Sequence, residues 1–157
     1  MIQLAFYQPE IPHNTGALLR LSACLGNPFH IVGPTGFLMS EKHLQRASLD
    51  YGPLAQSTVH DSPEAFWKYC RGLRVVALVA QAGMPYTAFS YTPSDILLLG
   101  SESTGLPPQV LHALPDRVTI PMLPQRRSLN AALAGAIVLT EALRQCGLLP
   151  QQTAGGA

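Results

Sequence analysis

Apolar residues gather along the chain in short blocks bounded by glycine, proline or polar residues. Blocks of strand length fall at residues 2–7, 30–32, 58–60, 74–79, 96–99 and 118–120. Those at 74–79 and 96–99 are apolar without alternation, as strands covered on both faces of a parallel sheet are. Helical stretches lie between them. Asn14-Thr15-Gly16 leads into a helix over 17–25 that Gly26-Asn27 closes. Ser40 caps a short helix carrying Lys42 and Arg46. Ser62, Pro63 and Glu64 supply a cap, a first-turn proline and an acid for a helix reaching about residue 71. A further helix covers 107–114, whereas 80–92, with Gly83 and Pro85, reads as loop. Strands alternate with helices throughout. The fold class predicted is α/β, a mostly parallel sheet with helices on both faces.

The last helix differs from the others. It follows the polar turn Arg126-Arg127-Ser128-Leu129-Asn130, where Ser128 reads as the N-cap. Residues 131–139 are apolar on every side, which predicts a helix buried all round. Ala131, Ala132, Ala134 and Gly135 are small enough for another backbone or a ligand to approach closely. Taken alone, the plainer explanation is a tightly packed core helix.

Composition narrows the classes. Of 157 residues, 47% are hydrophobic and 12% charged, so a folded domain with a large core or an oligomeric surface is expected. One domain over 1–147 accounts for it, with 148–157 a fraying tail. No apolar run is long enough to span a membrane, and residues 1–7 lack a signal peptide's basic region, so a cytoplasmic protein is expected. Cys24, Cys70 and Cys146 are odd in number and widely spaced, which fits free thiols, and neither they nor the five histidines have zinc-site spacing. No metal is expected. A net charge of +1 does not announce a nucleic-acid binder, so such a role must rest on a local patch. Trp67 has no interleaved basic residues and reads as packing.

The stretch from Gly100 to Gly105 is not a phosphate loop, because Leu106-Pro107 follows where lysine and a hydroxyl residue are required. The dinucleotide fingerprint is absent from the first strand-to-helix turn. Ligands of open α/β sheets sit beyond the carboxyl ends of the strands, here the loops after 79, 99 and 120. Those loops carry few polar side chains, so a ligand there is held largely by backbone groups. An adenosine-like group fits that better than a triphosphate.

Three segments are more specific. Pro9-Glu10-Ile11-Pro12-His13-Asn14-Thr15-Gly16-Ala17-Leu18-Leu19-Arg20 resembles the first motif of the SPOUT-superfamily RNA ribose 2′-O-methyltransferases. Leu99-Gly100-Ser101-Glu102-Ser103-Thr104-Gly105-Leu106-Pro107 resembles the second, and Ile120-Pro121-Met122 through Asn130 and onward the third. Arg46-Ala47-Ser48-Leu49-Asp50-Tyr51-Gly52 is similar to a stretch of the branch that methylates the wobble nucleotide of certain tRNAs. The match is nearly collinear over residues 2–147. The resemblance implies a C-terminal deep trefoil knot holding S-adenosylmethionine, without metal, and a homodimer that binds tRNA with both subunits. It implies cofactor contacts at Leu78, Gly100, Glu102, Ile120, Met122, Ser128 and Leu129, and catalytic positions at Asn14, Arg20, Ser128 and Asn130.

The reaction implied is attack of a ribose 2′-OH on the cofactor's methyl. Alignment can supply roughly 7–11 kcal/mol of such a barrier. A guanidinium titrates above ~12 and is a poor base, so Arg20 is expected to contact the hydroxyl, with help from an RNA phosphate, rather than take its proton. Arg126 and Arg127 would attract phosphate. The plainer alternative makes all three solvated surface arginines. Relatives commonly carry lysine or arginine where this chain has Thr104, and serine where it has Ala132. Two rivals stand beside this reading: a knotted RNA-binding protein without catalysis, and an unrelated Rossmann-like nucleotide enzyme.

Overall fold

The computed structural model describes residues 1–39 and 56–151. The helix expected after Ser40 and the Arg46–Gly52 stretch lie outside them, as does the end of the chain from 152. Strands β1 (Gln3–Tyr7), β2 (Phe29–Val32), β3 (Ser57–His60), β4 (Val75–Leu78), β5 (Met84–Pro85), β6 (Ile96–Leu99) and β7 (Arg117–Thr119) form one sheet in the order β3-β2-β1-β6-β4-β7-β5. Every pairing is parallel. Helices α1 (Pro12–Leu25), α2 (Pro63–Tyr69), α3 (Pro108–Ala113) and α4 (Ala131–Gln145) cover it.

The uninterrupted apolar strands follow from burial on both faces. Leu4 and Phe6 of β1, with Leu97 and Leu99 of β6, pack with Leu18, Val138 and Leu139 of α1 and α4. Their neighbours Ala5, Tyr7, Ile96 and Leu98 point to the other face, where Phe66 of α2 and Val110 of α3 lie. Each leucine so buried contributes about 1.5–3 kcal/mol. Ser62 caps α2 as expected, its hydroxyl accepting the Ala65 N–H at 3.2 Å, and Trp67 packs on Phe66 with ring centroids 5.0 Å apart.

Several expectations are corrected. Helix α1 begins at Pro12, so Asn14, Thr15 and Gly16 lie inside it, and Ile11 supplies no side-chain cap. Proline at the first helical position loses no hydrogen bond, which makes this start available. Asn130, not Ser128, caps α4: its Oδ1 accepts the N–H groups of Ala132 and Leu133 at 2.9 and 3.2 Å. Nor is α4 buried all round, since Leu133 is 60% and Ile137 38% exposed. The stretch 80–92 contains β5, a two-residue strand along the edge of β7. Past α4, Leu148 N–H still bonds Leu143 O at 2.8 Å and its side chain rests on the core.

Strand β7 lies between β4 and β5, although β4 and β5 are joined by residues 79–83 alone. That short connection crosses β7. Thr119 Oγ1 donates to Ala80 O at 3.1 Å, and a Cβ on Gly83 would stand 2.7 Å from the Val118 carbonyl carbon. Only glycine permits so close a crossing. Among the described residues no helix is long and apolar enough to cross a membrane.

Candidate active site

Beyond the carboxyl ends of β4, β6 and β7 the loops enclose a cleft of about 740 Å³, within the range of ligand pockets. Leu78 and Val79 supply one wall, residues 99–106 a second, and Ile120, Met122 and residues 128–131 a third. Ala134 and Val138 of α4 form part of the lining, where small side chains leave room. Asn14, Leu78, Gly100, Glu102, Ile120, Met122, Ser128, Leu129 and Asn130 all line this cleft. Arg20 does not. It is exposed on α1, about 9 Å further along the axis than buried Asn14 and on a different side of the helix. Arg117, Ser103 and Leu106 line the cleft without having been singled out from sequence; a basic residue at a strand start and a serine in a turn carry no signal of their own.

The turn after β6 is closed on itself. Gly105 N–H donates to Ser101 O at 2.9 Å, and the Ser101 and Thr104 hydroxyls lie 2.8 Å apart. Thr104 is thus part of the turn's own hydrogen bonding. Gly105 has φ +69°, and a Cβ on Gly100 would lie 2.2 Å from the Gly105 carbonyl carbon. A side chain at Gly100 therefore collides first with its own turn, before reaching any ligand.

A directed chain of hydrogen bonds joins the three motifs. The Glu102 carboxylate accepts the N–H groups of Glu10 and Ile11 at 2.7 and 3.0 Å, and Asn14 Nδ2 at 3.3 Å. A carboxylate only accepts, so Asn14 must present its amide nitrogen to it and its Oδ1 to Asn130 Nδ2, 3.0 Å away. That leaves Asn130 Oδ1 for the start of α4. Asn14 and Asn130 thereby fix the relative placement of α1, the turn at 101–105 and α4.

Among the described residues two ionic side chains line the cleft, and both are engaged by protein. Glu102 faces the start of α1 as described. The Arg117 guanidinium donates to Leu114 O at 3.0 Å and to Leu111 O. The interior therefore offers backbone groups, amides and apolar walls. That set suits a nucleoside carrying a thioether or sulfonium arm, and leaves a polyphosphate without cations. S-adenosylmethionine fits it. Leu78, Gly100 and Ile120 stand at the three strand ends where backbone would meet it, and Met122 and Leu129 offer apolar surface for a purine.

Comparison with known proteins agrees. A tRNA (cytidine(34)-2′-O)-methyltransferase of Beijerinckia indica is 50% identical over 149 residues, covering 93% of this chain and 92% of the relative. A solved structure giving insight into 2-OH methylation of C/U34 on tRNA superposes with TM-score 0.87 at 43% identity, covering 92% of this chain and 95% of that one. An AdoMet-bound rRNA methyltransferase from Sinorhizobium meliloti superposes with TM-score 0.78 at 27% identity, over 91% of this chain and 56% of that one. The family model described as SpoU rRNA methylase matches residues 1–140. With motifs, parallel sheet and cleft in agreement, the chain belongs to the SpoU rRNA methylase family.

Proposed function

We propose that this protein transfers a methyl group from S-adenosylmethionine to the ribose 2′-OH of nucleotide 34, the wobble position, of a tRNA. The observation that carries this is the cleft at the ends of β4, β6 and β7, lined by all three motifs, with Glu102 and Arg117 both engaged by protein groups. Near-full-length similarity to tRNA (cytidine(34)-2′-O)-methyltransferases supports the substrate. When bound, the cofactor supplies a methyl group already activated on a sulfonium. The protein's task is alignment. Residues 1–147 act as one catalytic domain in the cytoplasm, with the chain after β7 threaded beneath the 79–83 connection as a knot. Arg20 meets the attacking hydroxyl and an adjoining phosphate, while Arg126 and Arg127, both exposed beside the cleft, attract the RNA backbone. Because Arg20 lies outside its own cleft, the work requires a two-fold dimer around α1 and α4 with RNA bound across both subunits.

Arg20→Ala tests the division of labour. Its affinity for S-adenosylhomocysteine by calorimetry, with chelator present, should match the parent protein's, while single-turnover methyl transfer falls about a hundredfold or more. Arg20→Lys should not restore the rate, since an ammonium lacks the planar fork. Near-normal transfer by Arg20→Ala would make Arg20 a surface arginine.

A further inference from the structure

The segment that opens α1 and the turn that walls the cleft grip each other from both sides. Glu102 accepts the backbone N–H of Glu10, and Glu10 in turn accepts from the residue after Glu102: its Oε1 receives the Ser103 N–H at 3.2 Å and the Ser103 hydroxyl at 2.6 Å. The two acids are 92 positions apart and each bonds the other's segment. Glu10 is held by its own backbone as well. Gly36 N–H donates to Pro9 O at 2.9 Å, and a Cβ on Gly36 would stand 3.0 Å from the Glu10 Cα, so that loop packs directly against Glu10. A fixed backbone aims the carboxylate, although the side chain is exposed. The Ser103 bonds hold its carboxyl below the usual range, as expected of a group that works ionised.

A surface acid needs no such arrangement, and a helix cap would bond its own helix. Glu10 instead bonds a turn whose Ser103 lines the cleft, from a position ten residues before Arg20. We propose that Glu10 is a positioning residue for methyl transfer: by holding Ser103 it locks the cleft-forming turn to the start of α1, so that the cofactor's wall and the helix carrying Arg20 keep one relative placement. It touches neither substrate nor cofactor and acts through Ser103 and α1. The inference rests on the function proposed above.

Glu10→Ala, Glu10→Gln and Ser103→Ala test it in the full-length protein, with thermal midpoint, S-adenosylhomocysteine affinity and single-turnover methylation of tRNA at saturating cofactor as readouts. Glu10→Ala should bind S-adenosylhomocysteine about five- to tenfold more weakly and methylate at least tenfold more slowly, with its midpoint within a few degrees of the parent's. Glu10→Gln keeps an acceptor oxygen for Ser103 and should recover most of the rate. Ser103→Ala loses the hydroxyl bond but keeps the N–H bond, so it should show part of the defect, and the double variant should be no worse than Glu10→Ala, which already lacks both bonds. A Glu10→Ala rate and affinity within twofold of the parent's overturn the proposal, as does a Glu10→Gln as slow as Glu10→Ala. If the parent protein neither binds S-adenosylhomocysteine nor methylates tRNA, the functional reading has failed instead.

Discussion

At the scale of single residues, polar groups buried or aimed by tertiary contacts decide more than their types announce. His30 is an example away from the cleft. It is 2% exposed, with Nδ1 3.0 Å from His60 Nε2 and Nε2 2.7 Å from Gln3 Oε1, which also accepts the Tyr69 hydroxyl. Gln3 Oε1 already accepts from Tyr69 and accepts His30 Nε2–H as well, which leaves His30 Nδ1 to accept the Nε2–H of His60 and makes the His30 ring neutral. Burial, then the neighbouring His60, pushes the His30 imidazole down to about 4, and burial lowers His60 despite Asp61. An imidazole depressed in the fold takes its proton in the unfolded chain first. Its contribution is therefore complete above about pH 6.5 and is lost as pH falls toward 4. Stability should drop by about 2 kcal/mol between pH 7 and pH 5 from His30 alone. Denaturant titrations at both pH values check this, and His30→Phe should flatten the difference while lowering stability overall. Equal slopes in both proteins would remove the histidine pair from the account. Nothing in the sequence joined His30 to His60, because their pairing depends on β2 and β3 lying in register. Asn14, Glu102 and Asn130 were singled out by motif resemblance. Their hydrogen-bond chain was not, since it forms between segments about ninety to a hundred and sixteen positions apart.

At the scale of elements, the strands were the legible part. Apolar runs such as 96–99 have one explanation, coverage on both faces, and β6 lies at the centre of the sheet with α1 and α4 on one face and α2 and α3 on the other. Helix starts were less legible because several residues could serve. Ser128 and Asn130 are both able caps, yet only an amide can accept two N–H groups with its oxygen while its nitrogen reaches Asn14. β5 has no periodicity and contains Pro85; it exists because the edge of β7 offers partners. The misreading of α4 is the useful one. Leu133 and Ile137 stand one turn apart on an exposed face of a helix otherwise packed against α1 and the sheet, with Leu129 39% exposed just before it. An apolar stripe in that position calls for a partner surface. Sedimentation at micromolar concentration should give a dimer for the parent protein and a monomer for Leu133→Glu, with methyl transfer lost alongside. A parent protein that is monomeric and fully active would contradict this.

At the scale of the whole molecule, the parallel sheet was readable from the order of elements, whereas the place of β7 between β4 and β5 was not. Connection rules disfavour any path in which a later strand enters beneath an earlier loop. Here β7 lies between β4 and β5, which residues 79–83 join across it, and glycine at position 83 is what so close a backbone approach requires. The same crossing brings three strand ends together into the cleft, so fold and site have one cause. A net charge of +1 gives the chain no overall attraction for RNA, so the proposed tRNA binding rests on local arginines and on the proposed dimer. The destination of the methyl group is the most direct test of the proposed function. Purified protein, incubated with methyl-labelled S-adenosylmethionine and unmodified tRNA in the presence of chelator, should place label in a single nuclease-resistant dinucleotide spanning nucleotide 34, on the ribose and not the base. Label on a base, label elsewhere in the tRNA, or cofactor binding with no transfer to any tRNA tested would contradict it.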